Sequence, residues 1–302
     1  MRIAVLGPGG VGGLLAAVLD RGGHKVTVIA RESTAAEIAD HGVRLQSVTF
    51  GEFTAHPRAR ERLDEPVEAL LVATKAAGMP AALERIEVEP DLVLPLLNGI
   101  DHIPALRSHF EPARVLAGSI RVEADRPAPG VVVHTSPFLL VSMASAHEEA
   151  QEPMAALGEA LAGVEVPVRI EGSEAQVMWS KLVRLNALAC TTSAYDKLLG
   201  EIRSTPALRA DLVGAIDEAC AVARAEGAAD TDPAQALAEL ERAHDTLGSS
   251  MQRDIAAGRT PELDAIPGSV LRAARRHALE CPTIERLVGM IAEWAGIPAP
   301  LA

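Results

Sequence analysis

Residues 3–15 read Ile3-Ala4-Val5-Leu6-Gly7-Pro8-Gly9-Gly10-Val11-Gly12-Gly13-Leu14-Leu15. An apolar run, a glycine-rich turn and a stretch with apolar residues at helical spacing (Val11, Leu14, Leu15, Val18, Leu19) follow one another directly. Strand, turn and helix in that order make Gly7-x-Gly9-x-x-Gly12 a dinucleotide cradle rather than a chance glycine pattern. Gly7 permits the tight turn, Gly9 lets the backbone approach a pyrophosphate, and Gly12 lets helix and strand pack closely. Pro8, Gly10 and Val11 complete the loop, and the helix start directs amide hydrogens and a positive dipole end at the phosphates. The alternative is a glycine-rich turn without a ligand.

Outward from this motif, short apolar runs recur at residues 26–30, 70–74, 92–97, 115–119 and 131–134. Continuous runs of this length suit strands buried on both faces, as in a parallel sheet covered by helices. Pro127-Ala128-Pro129-Gly130 is a turn signal, and it predicts a hairpin between residues 120–122 and 131–133 at the sheet's edge. Beyond residue 170 the pattern turns helical. Ser173-Glu174-Ala175-Gln176 reads as a capping box, and helical spacing continues through residues 206–226, 232–247 and 261–279. The expectation is an α/β fold: an N-terminal Rossmann-type dinucleotide-binding domain over residues 1–170 and an all-helical domain over 171–302.

Composition narrows the function. The 302-residue chain carries 28 Lys+Arg against 41 Asp+Glu, a formal net charge of −13, and only four Phe, two Trp and one Tyr. Nucleic-acid binders need basic surfaces and aromatic stacking platforms, so that class is excluded. Cys190, Cys220 and Cys281 are far apart and form no C-x-x-C, which argues against a disulfide framework or a structural zinc site, and no metal is expected. The N-terminus reaches glycine too soon for a signal peptide, and no apolar run is long enough to span a bilayer. A cytoplasmic protein without a membrane partner is expected; the oligomeric state stays open, a homodimer included.

The second apolar run ends at Arg31, where an NAD-preferring site usually places an acidic residue on the ribose hydroxyls. A guanidinium there pairs instead with a 2′-phosphate, which favours NADPH. Glu32 follows and could take a ribose hydroxyl, with Arg31 then a solvated strand-end arginine.

Further motifs lie in order along the chain: Val72-Ala73-Thr74-Lys75-Ala76, Leu96-Leu97-Asn98-Gly99, Trp179-Ser180-Lys181-Leu182, Ser249-Ser250-Met251-Gln252-Arg253-Asp254 and Glu262-Leu263-Asp264-Ala265-Ile266. Taken with the cradle and Ile29-Ala30-Arg31, they resemble the ketopantoate reductase (2-dehydropantoate 2-reductase) family over nearly the whole chain. The resemblance implies hydride transfer from NADPH to the ketone of a 2-keto acid, first of all ketopantoate to pantoate in pantothenate biosynthesis, with substrate in the cleft between the domains. It makes Lys181 the general acid, which donates a proton as charge grows on the carbonyl oxygen. It puts Asn98 between nicotinamide ribose and substrate, Lys75 beside the cofactor, Ser250 at the substrate and Glu262 closing the site around cofactor and substrate. From the residues alone, Lys181 could snorkel from a helix face, Asn98-Gly99 could be a plain turn, Lys75 a surface lysine, Ser250 a helix cap, and Thr260-Pro261-Glu262 a helix start.

The pattern breaks at four places. Leu185, Ala189, Leu199 and Leu247 stand where pantoate-forming enzymes usually carry asparagine. Asn186 lies one residue off, rotated by about 100° around the helix. An aliphatic pocket cannot hydrogen-bond a substrate hydroxyl. Three readings follow: ketopantoate reduction with substitute contacts from Asn186, Thr191 or Thr192; the same chemistry on a more apolar 2-keto acid; or a non-catalytic NADP-binding sensor.

Overall fold

The computed structural model describes residues 1–300 and divides into two compact units, residues 1–97 with 102–177, and residues 98–101 with 178 onward. In the first unit β1 (Arg2–Leu6) runs through the glycine turn into α1 (Gly10–Arg21), followed by β2 (Lys25–Ile29), α2 (Glu32–His41), β3 (Val43–Ser47), β4 (Gly51–Ala55), β5 (Arg58–Arg60), β6 (Ala69–Val72), α3 (Met79–Leu83), β7 (Val93–Pro95) and α4 (His102–His109). Strands β5-β2-β1-β6-β7 form a parallel sheet in that order. The run in β1 is unbroken because the strand feeds two cores: Ile3 and Val5 pack with Leu14, Leu15 and Val18 of α1, while Ala4 and Leu6 face Leu70, Val72 and Leu83. The fold is the Rossmann-type α/β arrangement that the opening stretch implied.

The rest of this unit is β8 (Ala117–Arg121), β9 (Ala124–Ala128), β10 (Val131–His134), β11 (Leu140–Ala144), α5 (Gln151–Ala162) and β12 (Val168–Ile170). These strands do not extend the parallel sheet but build two smaller ones, β4-β3-β10-β9 and β12-β11-β8. The expected hairpin exists with a different first strand. Val131 faces Ala128 across Pro129-Gly130, and Gly130 has φ +70°. A two-residue turn fixes the register at once, so residues 124–128 pair with β10. Residues 120–122 lie too far back, and Ile120 pairs instead with Val141 of β11. The β3–β4 hairpin, β11 and β12 were not among the sequence's strands; the runs of β3, β4 and β12 are short and part polar, whereas β11 is apolar apart from Ser142.

The division falls inside α6 (Glu174–Tyr195), whose first turn carries the serine half of the expected capping box, with Gln176 N donating to Ser173 Oγ at 3.2 Å. The second unit continues as α7 (Leu199–Ser204), α8 (Pro206–Ala225), α9 (Pro233–Arg242), α10 (Ser250–Ala256), α11 (Ser269–Arg276) and α12 (Pro282–Ala295), with no strand among the described residues. The domain boundary expected after residue 170 therefore differs from the observed division, and Asn98–Asp101 goes with the helices.

The helix read over 261–279 is irregular at its start. Pro267 has no N–H to offer the Leu263 carbonyl, so Gly268 N takes it at 3.0 Å, five residues on, and Asp264–Gly268 winds as a π-turn before α11.

Candidate active site

The glycine turn is held from several sides. Gly7 has φ +90°, and a Cβ there would lie 2.7 Å from Thr74 Cγ2. One at Gly10 would meet Ala124 O at 2.2 Å, and one at Gly12 would meet Gly7 O at 2.2 Å. These glycines are required by the protein itself. Gly9 differs: its φ of −76° suits any residue, and a Cβ would have Ala73 O at 4.0 Å as its nearest neighbour. Neither backbone conformation nor packing calls for glycine at 9, which leaves close approach by something outside the protein. Beside the turn, Thr74 Oγ1 is buried without a hydrogen-bond partner among the described residues. An open glycine, free amides at the α1 start and a spare hydroxyl fit a dinucleotide's phosphates. Arg31 is exposed at the N-cap of α2, and Lys75 is exposed just past β6.

In the second unit three predicted residues meet. Lys181 Nζ donates to Asn98 Oδ1 at 2.9 Å, and Asn98 Nδ2 donates to Glu262 Oε2 at 2.9 Å. The orientation of the amide follows from its neighbours: an ammonium can only donate and a carboxylate only accept. All three side chains are partly exposed. Asn98 is set by the Gly99 backbone, which has φ +81° and lies so close to the π-turn that a Cβ would stand 1.9 Å from Ala265 O. Arg272 pins the same contact, with Nε and Nη2 on Asp101 Oδ2 at 3.0 and 2.6 Å and Nη1 on Asp264 Oδ1 at 2.7 Å. Sequence reading missed Arg272, Asp101 and Thr74; no local spacing marks a bond between positions 171 residues apart.

The chain matches the family model described as Ketopantoate reductase PanE/ApbA over residues 3–142, and its C-terminal companion over residues 175–295. The chain belongs to the ketopantoate reductase family. It is 31% identical over 307 residues to a 2-dehydropantoate 2-reductase of Mycobacterium tuberculosis, covering 96% of both chains. It is 29% identical over 292 residues to a protein of Bacillus subtilis called Uncharacterized oxidoreductase YkpB, covering 94% of this chain and 96% of that one. Among solved structures, the ternary structure of D-mandelate dehydrogenase with NADH and anilino(oxo)acetate superposes with a TM-score of 0.89 at 19% identity, covering 98% of each chain, a likeness of fold. The chain is an oxidoreductase of this family.

The remaining residues assigned by family resemblance are not all in one place. Ser250 is exposed at the first position of α10, whose N-cap Ser249 accepts from Gln252 N at 3.0 Å and is hydrogen-bonded to Thr192 Oγ1 at 2.9 Å. Thr192 is eleven residues past Lys181, about 16 Å along α6 and on the same face. Among the described residues, no hydrogen bond joins Ser250 to the Lys181–Asn98–Glu262 group. Leu185 and Leu188 lie between on that face, both partly exposed. Ala189 and Leu199 are buried; Leu247 is partly exposed and its carbonyl accepts from Leu199 N at 2.9 Å.

The substitute contacts expected from Asn186, Thr191 and Thr192 are not available. Asn186 is wholly buried on the other side of α6, where Oδ1 accepts from Cys190 Sγ at 3.5 Å and Nδ2 has no partner among the described residues. Thr191 Oγ1 is spent on Ala187 O at 2.8 Å, and Thr192 Oγ1 on Leu188 O at 2.7 Å and Ser249. Burial, with Glu218 nearby, pushes the Cys190 thiol far up, which makes it a core residue.

Proposed function

We propose that this protein reduces a 2-keto acid to a 2-hydroxy acid with NADPH, ketopantoate being the substrate that family membership favours. The observation that carries the reading is the Lys181–Asn98–Glu262 chain of hydrogen bonds. Bound NADPH would supply the hydride. Gly7, Pro8, Gly9, Gly10, Val11 and Gly12 would hold its pyrophosphate, Lys75 would lie beside it, and Arg31 would bind its 2′-phosphate. Lys181 would bind the keto oxygen and give it a proton as hydride arrives, since an ammonium in hydrogen-bond reach stabilises the growing alkoxide. Asn98 would hold the ammonium in place, and Glu262 would fix the amide so that its oxygen faces the lysine. Ser250 would bind the carboxylate end of the substrate.

Three free, buried thiols support a reducing, cytoplasmic setting, and a relative described as a dimeric ketopantoate reductase from Staphylococcus aureus supports a homodimer. That D-mandelate dehydrogenase was solved with NADH leaves the phosphate on the cofactor as the point to measure.

A second reading, a more apolar 2-keto acid, is favoured by Leu185 and Leu188, which continue the Lys181 face of α6 without a polar atom. The test is NADPH oxidation with ketopantoate beside branched and aromatic 2-keto acids. Turnover with ketopantoate alone supports the first reading; turnover only with the others replaces it by the second. Tight NADPH binding without turnover of any keto acid refutes both and leaves a sensor. Lys181→Ala is expected to lower turnover by roughly 10²–10⁴ while NADPH still binds; a near-unchanged rate refutes the general-acid role.

A further inference from the structure

We propose that Arg85 is a second ligand of the cofactor's 2′-phosphate, acting with Arg31 to set the coenzyme choice. The inference rests on the NADPH reading above and concerns the first unit alone. At the carboxyl end of the parallel sheet, Ala30 N donates to Arg60 O at 3.0 Å, the last rung between β2 and its neighbour β5. The next carbonyl groups of both strands are taken by one side chain. Arg85 Nη1 donates to Ala30 O at 3.4 Å and to Glu61 O at 3.2 Å. The guanidinium therefore sits just past the strand ends, next to the backbone of Arg31, where open α/β sheets bind their ligands.

Three observations point to an anion there. First, Arg85 is half-buried and has five N–H donors, of which the two carbonyls occupy those of Nη1. Second, two of the arginines on this side of the sheet are already neutralised: Arg62 pairs with Glu87, and Arg58 with Glu65 at 2.8 Å. Arg31, Arg60 and Arg85 have no carboxylate partner among the described residues, and of the three only Arg85 is held by the strand-end carbonyls through its side chain. Third, α2 is a ten-residue helix whose N-cap is Arg31, a residue that offers no side-chain acceptor, so the amides of Glu32 and Ser33 receive no side-chain cap, Thr34 N being taken by Arg31 O at 2.9 Å. A phosphate carries between one and two negative charges near neutrality, more than a single arginine offsets, and Glu32 at the helix start opposes it. The second guanidinium tips that local balance toward the phosphorylated cofactor.

A structural role alone, tying residue 85 to the ends of β2 and β5, predicts a different result. The test is calorimetric binding of 2′,5′-ADP and 5′-AMP, which differ only in the 2′-phosphate, with NADPH and NADH Kd values as a second pair. Arg85→Met keeps the aliphatic stem and removes the charge; it should weaken 2′,5′-ADP and NADPH by roughly tenfold or more and leave 5′-AMP and NADH unchanged. Arg85→Lys keeps the charge and is the variant to use if the first does not fold; it should weaken the phosphorylated pair less, again without affecting the other. Arg31→Met should keep part of the preference, and the double variant should lose it. Equal weakening of both ligands in a pair, or none, overturns the role of Arg85 while the NADPH reading stands. A wild-type protein that binds 2′,5′-ADP no better than 5′-AMP overturns both.

Discussion

Asn98 joins Lys181 to Glu262 through two hydrogen bonds of 2.9 Å, each with one charged partner. Such bonds contribute about 1.5–3 kcal/mol, so Asn98→Ala, which removes this bond to the ammonium, should lower kcat/KM by roughly 10- to 150-fold. Glu262→Gln keeps an oxygen that accepts from Asn98 but removes the charge. A neutral bond contributes about 0.5–1.5 kcal/mol, so the loss should be about 1 kcal/mol, roughly fivefold. If Glu262 acts through Asn98, this second loss vanishes once Asn98 is gone, and the double variant should match Asn98→Ala, with a coupling of about 1 kcal/mol. The assay is steady-state kcat/KM for the turned-over keto acid at saturating NADPH, with melting temperatures showing that each variant is folded. Losses that multiply in the double variant refute the coupling and make Glu262 an independent contributor.

Gly12→Ala drives a Cβ to 2.2 Å from Gly7 O and should destabilise by about 1–3 kcal/mol. Gly9→Ala should melt like wild type yet bind NADPH roughly tenfold or more weakly, and unchanged affinity would refute the phosphate cradle. Burial pushes the Cys220 thiol up to about 11 and Cys281 to about 12, with Cys190 raised too; no cysteine should react with an alkylating reagent in the native protein and all three after denaturation, so fast native labelling refutes their placement. His134 is wholly buried, and burial holds its imidazole below the ordinary 6.5. Its neutral form contributes stability that is complete above that value and is lost as pH falls through the lower folded value. His134→Gln should therefore reduce the fall in urea midpoint as pH drops just below about 6.5, while the contribution of His24, whose imidazole burial and the N-terminal ammonium also lower, remains; an unchanged slope refutes it.

The cradle was legible because its main causes are local, the contacts of Gly7 with Thr74 and of Gly10 with Ala124 being added only by the fold. Twelve residues place the strand, the turn and the helix start, and the positive φ of Gly7 and the contact of Gly12 with Gly7 O arise within that span. The helical second half was legible from spacing and from Ser173, whose cap lies three residues from its donor. The hairpin partner was misread because register depends on the turn's length, which Pro129-Gly130 sets more tightly than the apolar pattern suggests. The start of α11 was misread because a proline's missing N–H acts one turn back, on Leu263 O.

For the site, the sequence by itself determined which residue types are present and, through family resemblance, which positions to examine. Tertiary structure decided what they touch. Asn98 meets Lys181 across 83 residues and Glu262 across 164, and Arg85 reaches Ala30 across 55. It also removed candidates: helical spacing had kept Asn186, Thr191 and Thr192 in play, yet burial and carbonyl bonds within α6 leave no side-chain group of theirs to offer a substrate. Periodicity carries the direction of a side chain on its own element, but a hydrogen-bond partner or a desolvated environment comes from elements brought close only when the chain folds.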